Sequence, residues 1–264
     1  MPKVRADDVE IYYEIHGQGP PLVLIAGYGC GLWLWFNQLS YFPHSFRTIV
    51  FDNRGAGRTD KPDEAYSIRM FADDTANLLR CLNIDRAHIF GISMGGMIAQ
   101  QCALTYPEMV DKLILCSTSF GGQKSVPIPQ RTLSILASSE HLPREEALRR
   151  NMATAFSPEY IGTNPHVFDR VIAHLLSDVQ PAYANQRQFQ ALIDFDVEEH
   201  LDEISSPTLI CAGDRDDVIP TENSHLLHRR ITGSELTVFE GSGHLVIIER
   251  AGELNRRVSR FLLE

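Results

Sequence analysis

The chain has 264 residues, a hydrophobic share of 44%, a charged share of 22% and a formal net charge of -10. That is enough chain for one sizeable core with a subdomain attached, in the composition of an ordinary soluble globular protein. The acidic balance, with no lysine or arginine run to offset it, repels phosphate backbones and anionic lipid, so neither nucleic acid nor a membrane is an expected partner.

The first residues, "MPKVRADDVEIYYEIHGQGP", carry scattered charges and no apolar core of signal-peptide length. No run approaches the ~18 apolar residues that would span a bilayer. The cysteines Cys30, Cys81, Cys102, Cys116 and Cys211 contain no C-x-x-C pair, which argues against a zinc site. Cys102, Cys116 and Cys211 lie in apolar segments and read as buried thiols. A cytoplasmic protein with no metal and no other cofactor is expected, and a homodimer stays open as a protein partner.

In chain order, "KVRADDVEIYYEIHG" alternates in polarity around the turn-prone Asp7 and Asp8, the pattern of an antiparallel hairpin at a sheet edge. Six short apolar runs follow: "PLVLIAG" (21–27), "RTIVFDNRG" (47–55), "AHIFGIS" (87–93), "KLILCSTS" (112–119), "PTLICAGD" (207–214) and "ELTVFEG" (235–241). Continuous apolarity without alternation marks strands buried on both faces, hence a parallel sheet covered by helices. Helical patterns at 68–82, 94–107 and 250–263 lie between or after them, the first carrying Phe71, Leu78, Leu79 and Leu82 at helical spacing. Strand and helix in alternation predict a doubly wound, mostly parallel α/β sheet with an antiparallel N-terminal edge.

The alternation stops between about Phe120 and Ser206. Three helix starts stand there, at Pro143, Asn164 and Pro181; Asn164 has the chemistry of a cap and Pro165 suits a first turn. The expected organisation is a core of 1–119 and 207–264 with a helical insertion of 120–206.

The motif that carries chemistry is "HIFGISMGGMIAQ" (88–100), where an apolar run meets a serine among glycines. A strand needs no such glycines and a helix is weakened by them. At a sharp strand-to-helix turn they are required, because residues two before and two after an apical Ser93 come too close for side chains; hence Gly91 and Gly95. Gly96 lets the helix pack closely, and its amino end favours an oxyanion. A serine hydroxyl needs a base, and the base an orienting acid, in the chain order Ser, acid, His.

His16, His44 and His88 precede Ser93; His141, His166, His174 and His200 lie in the insertion; His225 and His228 fall in a helical pattern. His244 alone stands in a loop, "EGSGHL", between the last strand and the last helix, and is the candidate base. The strand ending "CSTSFGG" has no acid, whereas "ICAGDRDDVIP" offers Asp214, Asp216 and Asp217. Two amides would cradle an oxyanion: that of Met94, and one from "IAGYGCG", for which Tyr28 is the candidate.

The elbow "GISMGG", the turn "DNRGAGRTDKP", the loop "AGDRDDVIP" and the terminal "GSGH" together resemble the α/β-hydrolase superfamily, in particular bacterial carboxylesterases and 3-oxoadipate enol-lactonases. The resemblance runs through essentially the whole chain. It implies an α/β-hydrolase fold with the insertion as a cap over the active site. It also implies Asp216 as the acid, three residues beyond Gly213; by their own places in the loop, Asp214, directly after the glycine, reads as stabilising the turn and Asp217, beside "VIP", as pointing away. One departure is Ala26-Gly27, where many members carry His-Gly, so hydrogen bonds from that histidine are absent. Arg54 reads as a residue that holds its turn together.

These residues imply a serine hydrolase that cleaves carboxylic esters or lactones through an acyl-enzyme on Ser93, Asp216 and His244, with oxyanion amides at Tyr28 and Met94. A carbon-carbon bond hydrolase, a thioesterase and a cofactor-free perhydrolase share that triad, and a small-ligand receptor on the same fold is the reading from another class. Trp33, Phe168 and Leu175 are the candidate substrate-binding residues. Trp35, Phe36 and Leu176 are further apolar candidates, and Arg131, Arg149, Arg150 and Arg187 are available for an anionic lactone.

Overall fold

The computed structural model describes residues 2–264. The strands are β1 (Lys3–Ala6), β2 (Val9–His16), β3 (Pro21–Ile25), β4 (Arg47–Phe51), β5 (Ala87–Ile92), β6 (Val110–Cys116), β7 (Thr208–Gly213) and β8 (Glu235–Phe239). They form one eight-stranded sheet in the order β1-β2-β4-β3-β5-β6-β7-β8. The β1–β2 and β2–β4 pairs are antiparallel and all others parallel. The N-terminal hairpin turns at Asp7, whose φ of 59 is the left-handed conformation aspartate tolerates.

The α-helices of six residues or more are α1 (Ile68–Cys81), α2 (Met94–Thr105), α3 (Gln130–Ser139), α4 (Arg144–Met152), α5 (Pro158–Thr163), α6 (Pro165–Ser177), α7 (Ala182–Ile193), α8 (Glu222–Arg230) and α9 (Ala251–Leu263). Ser67 caps α1 by accepting from the Met70 amide at 3.2 Å. Asn164 precedes α6 without a side-chain cap; its amide turns back to donate to the Tyr160 carbonyl at 3.4 Å and Thr163 Oγ1 at 2.9 Å.

Side chains of the buried strands divide by parity, as the two-residue period requires. Val23, Ile25, Ile49, Ile89, Leu113 and Ile210 join α1 and α2 in one cluster. Leu22, Leu24, Val50, Phe90, Ile114 and Leu209 join α9 and Trp35 in the other. Helices α3 to α7 all lie between β6 and β7, where an all-helical insertion was expected, though α3 and α5 carried no sequence signal. Near the end of the insertion, Phe195, Val197, Leu201 and Ile204 pack into the first core cluster.

Candidate active site

Ser93 sits between β5 and α2 with φ 57 and ψ -123, a conformation strained for a residue with a Cβ. Close packing compels it. A Cβ on Gly91 would lie 2.0 Å from the Gly95 carbonyl oxygen, and one on Gly95 2.1 Å from that of Ile25. A Cβ on Gly96 would meet the Thr118 side chain at 2.6 Å. The Ser93 amide donates to the Cys116 carbonyl at 2.9 Å, and Thr118 Oγ1 donates to the Ser93 carbonyl at 2.7 Å. The serine is thus held through both of its own main-chain polar groups, by the Cys116 carbonyl and the Thr118 hydroxyl, at the amino end of a helix.

Across the strand ends, His244 Nδ1 lies 2.8 Å from Asp216 Oδ2, and both side chains are buried. The other oxygen, Asp216 Oδ1, accepts from the amides of Val218 and Ile219, each at 2.8 Å. The neighbouring acids face elsewhere. Asp214 Oδ1 accepts from the Gly241 amide at 2.6 Å, tying the ends of β7 and β8 together. Asp217 pairs with Arg131, while its carbonyl accepts from Thr132 Oγ1 at 2.6 Å, so it fastens α3 to the loop. Gly213 has an ordinary φ; its missing side chain lets the histidine loop approach, since a Cβ would meet the Ser242 oxygen at 2.2 Å.

The histidine loop is fastened by Glu249. Its Oε1 accepts from the amides of Gly243 and Ser157, each at 3.0 Å, and its Oε2 from Ser157 Oγ at 2.5 Å. Burial pushes this carboxyl upward despite those bonds.

The loop after β3 makes a turn closed by the Cys30 amide on the Gly27 carbonyl at 3.3 Å, with Tyr28 and Gly29 at its tip. Gly29 has φ +67, in the left-handed region that favours glycine. A Cβ on Gly27 would come within 3.2 Å of the Ser93 Cβ, so this loop lies against Ser93. Among the described residues neither the Tyr28 nor the Met94 amide donates to a protein acceptor. The Ala26 carbonyl beneath the loop accepts from Asn53 Nδ2 at 3.0 Å.

Ser93, His244, Tyr28 and Gly27 border one cavity of about 760 Å³. Trp33 and Leu175 line it, together with Met97, Leu148 and Leu192, which sequence reasoning did not single out. Phe168 is corrected: it lies outside the cavity lining, buried, with its ring 5.7 Å from Phe156 and edge-on to it. The exposed apolar side chains of Tyr28, Leu133, Val179, Phe189 and Ile193 border the same cavity. Arg131, Arg149, Arg150 and Arg187 are held outside it, by Asp217, by Glu145 and Asp169, by Ser138 and by Asp63. The ionisable lining consists of Arg144, which donates to the Leu175 carbonyl at 3.0 Å, and Asp178, which accepts from Trp33 Nε1 at 3.3 Å, beside His244 and two groups whose ionisation is driven upward by burial. These are the Cys30 thiol, pushed up to about 12, and the Tyr28 phenol.

Arg54 holds more than its own turn. Its Nε and Nη2 grip both oxygens of the buried Asp74 at 2.9 and 2.8 Å, and its outer nitrogens reach Asp8 and Glu64. The turn itself is closed by Asp52, which accepts from the Leu32 amide at 2.7 Å and the Arg58 amide at 2.8 Å.

A family profile described as the alpha/beta hydrolase fold matches residues 20–251. The chain belongs to the α/β-hydrolase family. 3-Oxoadipate enol-lactonase 2 of Acinetobacter baylyi is 30% identical over 261 residues, covering 97% of this chain and 94% of its own. Among solved structures, Est816, described as an N-acyl homoserine lactone degrading enzyme, is 31% identical with a TM-score of 0.83, covering 98% of this chain and 100% of that one. A meta-cleavage product hydrolase from Pseudomonas fluorescens is 26% identical with a TM-score of 0.85, covering 99% and 97%. Ester-type and carbon-carbon bond hydrolases therefore both stand among its neighbours. No helix among the described residues is long and apolar enough to cross a membrane.

Proposed function

We propose that the protein is a serine hydrolase of carboxylic esters or lactones, working through an acyl-enzyme. The supporting observation is the 2.8 Å contact of His244 Nδ1 with Asp216 Oδ2, on a ring that borders the same cavity as the strained Ser93. With Nδ1–H donated to the carboxylate, Nε2 is free to take a proton. Ser93 Oγ bonds to the substrate carbonyl carbon as its proton passes to Nε2. The carbonyl oxygen becomes an oxyanion held by the Tyr28 and Met94 amides. The carbon–oxygen bond then breaks, the leaving alkoxide takes the proton from Nε2, and water repeats the sequence to release the acid.

The cavity favours an apolar acyl chain. Its walls are mostly hydrophobic and its rim is too, so methylenes gain burial along the whole path from Ser93 to the surface. An anionic enol-lactone meets one arginine and one aspartate there, a balance that offers it no net attraction.

A panel of p-nitrophenyl esters from acetate to decanoate, with an enol-lactone and an acyl homoserine lactone beside it, tests the reading. Turnover is expected to rise with chain length and to vanish in Ser93→Ala, whose circular dichroism stays that of the parent. More than a few per cent residual activity in that variant would remove Ser93 as nucleophile.

A further inference from the structure

Both polar groups of one residue in the oxyanion loop are held by the cap. The Gly29 amide donates to Gln188 Oε1 at 3.1 Å, and the Gly29 carbonyl accepts from Gln180 Nε2 at 3.2 Å. Gln188, on α7, is fully buried, and its Nε2 donates to the Arg54 carbonyl at 2.7 Å. That second bond fixes which end of the amide is oxygen, because a carbonyl partner needs a donor.

We infer that Gln188 and Gln180 are positioning residues for the oxyanion hole: the cap clamps the tip of the Gly27–Cys30 turn and so aims the Tyr28 amide at the developing oxyanion. The inference rests on the hydrolase reading above. The turn needs such a clamp for two reasons. Gly29, in the left-handed region, has no Cβ, and one built there would touch only Asn185 Oδ1, at 4.0 Å, so packing does not hold the tip. The chain also has Ala26 where a histidine would supply side-chain hydrogen bonds, and the loop's anchor from the core side is Asn53 on the Ala26 carbonyl. The two glutamines take opposite sides of Gly29 and therefore restrain both of its peptide planes. Gln188 extends the restraint to the main chain after β4, which Arg54 locks to the buried Asp74.

The mechanistic consequence is that the cap contributes to turnover and not to substrate affinity alone. A preorganised donor is effective only if it stands within hydrogen-bond distance of the oxyanion before the charge develops; losing such a donor costs about 10²–10³ in kcat. A clamp that merely loses its grip leaves the donor present and poorly aimed, so a smaller factor is expected.

Gln188→Met and Gln180→Met keep the length and abolish the bonds. With a short p-nitrophenyl ester, each variant is expected to lose about tenfold or more in kcat with KM within about twofold. Inhibition by an alkyl boronic acid, whose tetrahedral adduct on Ser93 places an oxygen in the hole, should weaken by the same factor as kcat falls. Affinity for the alcohol product, which carries no atom that enters the hole, should hold. Folded variants with kcat within twofold of the parent would overturn the clamp, as would a rise in KM at unchanged kcat, which would make the glutamines substrate contacts. If Gln188→Met does not fold, the partly exposed Gln180 decides the matter alone. A parent enzyme that turns over no ester in the panel overturns the hydrolase reading and the clamp with it; parity of the variants with an active parent overturns the clamp only.

Discussion

Asp216→Asn should abolish turnover through hydrogen-bond polarity, with the shape of the site unchanged. Asp216 Oδ1 already accepts two main-chain N–H groups, from Val218 and Ile219 at 2.8 Å each, so in the variant the amide oxygen must take that place. The NH₂ group is then directed at His244 Nδ1, 2.8 Å away in the parent. Facing a donor, Nδ1 must become the acceptor, and the ring proton moves to Nε2, the nitrogen that has to receive the serine proton. The flipped amide is no escape, because its NH₂ would oppose two buried donors at a cost of about 1–3 kcal/mol or more. The wrong tautomer lowers turnover about 10⁴-fold in serine proteases, and the same factor is expected here. Asp214→Asn and Asp217→Asn touch loop anchoring and a surface ion pair, and should each cost about tenfold or less. Initial rates on one short p-nitrophenyl ester at neutral pH compare the three. Retention of more than about 1% by Asp216→Asn, or equal damage from Asp217→Asn, would refute the assignment.

Arg54→Met should destabilise the fold by about 3–5 kcal/mol in urea titration, because Asp74 would stay buried without its partner. A loss below about 1 kcal/mol would mean that Asp74 is readily rehydrated. Phe168→Ala should cost about 3–5 kcal/mol and change chain-length preference little, since the ring packs on Phe156 outside the cavity. A selective effect on long esters would return it to the pocket. His88 is held neutral by burial, with its ionisation pulled below the ordinary 6.5 although Asp111 opposes this. Below 6.5 the unfolded chain therefore binds the extra proton first, so stability should fall as pH drops through that window, and His88→Gln should flatten the slope.

The sheet was legible because parallel strands covered on both faces leave uninterrupted apolar runs, as "TLICAG" (208–213) and "AHIFGI" (87–92) do. The elbow was legible because its close contacts admit only glycine at Gly91 and Gly95. The cap was less so. Helix α3 starts after Pro129 with no side-chain cap, and its Leu133 and Leu136 face the cavity, which leaves a weak apolar stripe. In α6, Phe168, Val171 and Leu175 share one stripe; periodicity reports the stripe and not where core ends and cavity begins, which is why Phe168 was misplaced. Gln188 and Gln180 left no local signal, since Gly29 is 159 and 151 residues away in the chain.

Three loops of the proposed active site are fastened to the cap by polar contacts, and Ser93 is not. The acid loop is held at Asp217 by Arg131 and Thr132, the histidine loop through Glu249 by Ser157, and the oxyanion turn at Gly29 by Gln180 and Gln188. Ser93 is positioned by β5, α2 and the Cys116 carbonyl, all within the core. The cap helices bury less: α4 and α5 have no fully buried side chain, whereas nine of the twelve residues of α2 are buried. Local opening follows the segments with few buried apolar contacts, so the cap should loosen before the sheet does. Loosening would then misalign base, acid and oxyanion donor together while leaving Ser93 in place. In a urea series, esterase activity is accordingly expected to fall at a lower concentration than far-ultraviolet ellipticity, with the loss appearing in kcat. Labelling of Ser93 by a small fluorophosphonate should decline alongside activity, because the hydroxyl needs His244 as its base. Coincident midpoints for activity and ellipticity would show that cap and core open as one unit, and the argument from polar fastening would fail.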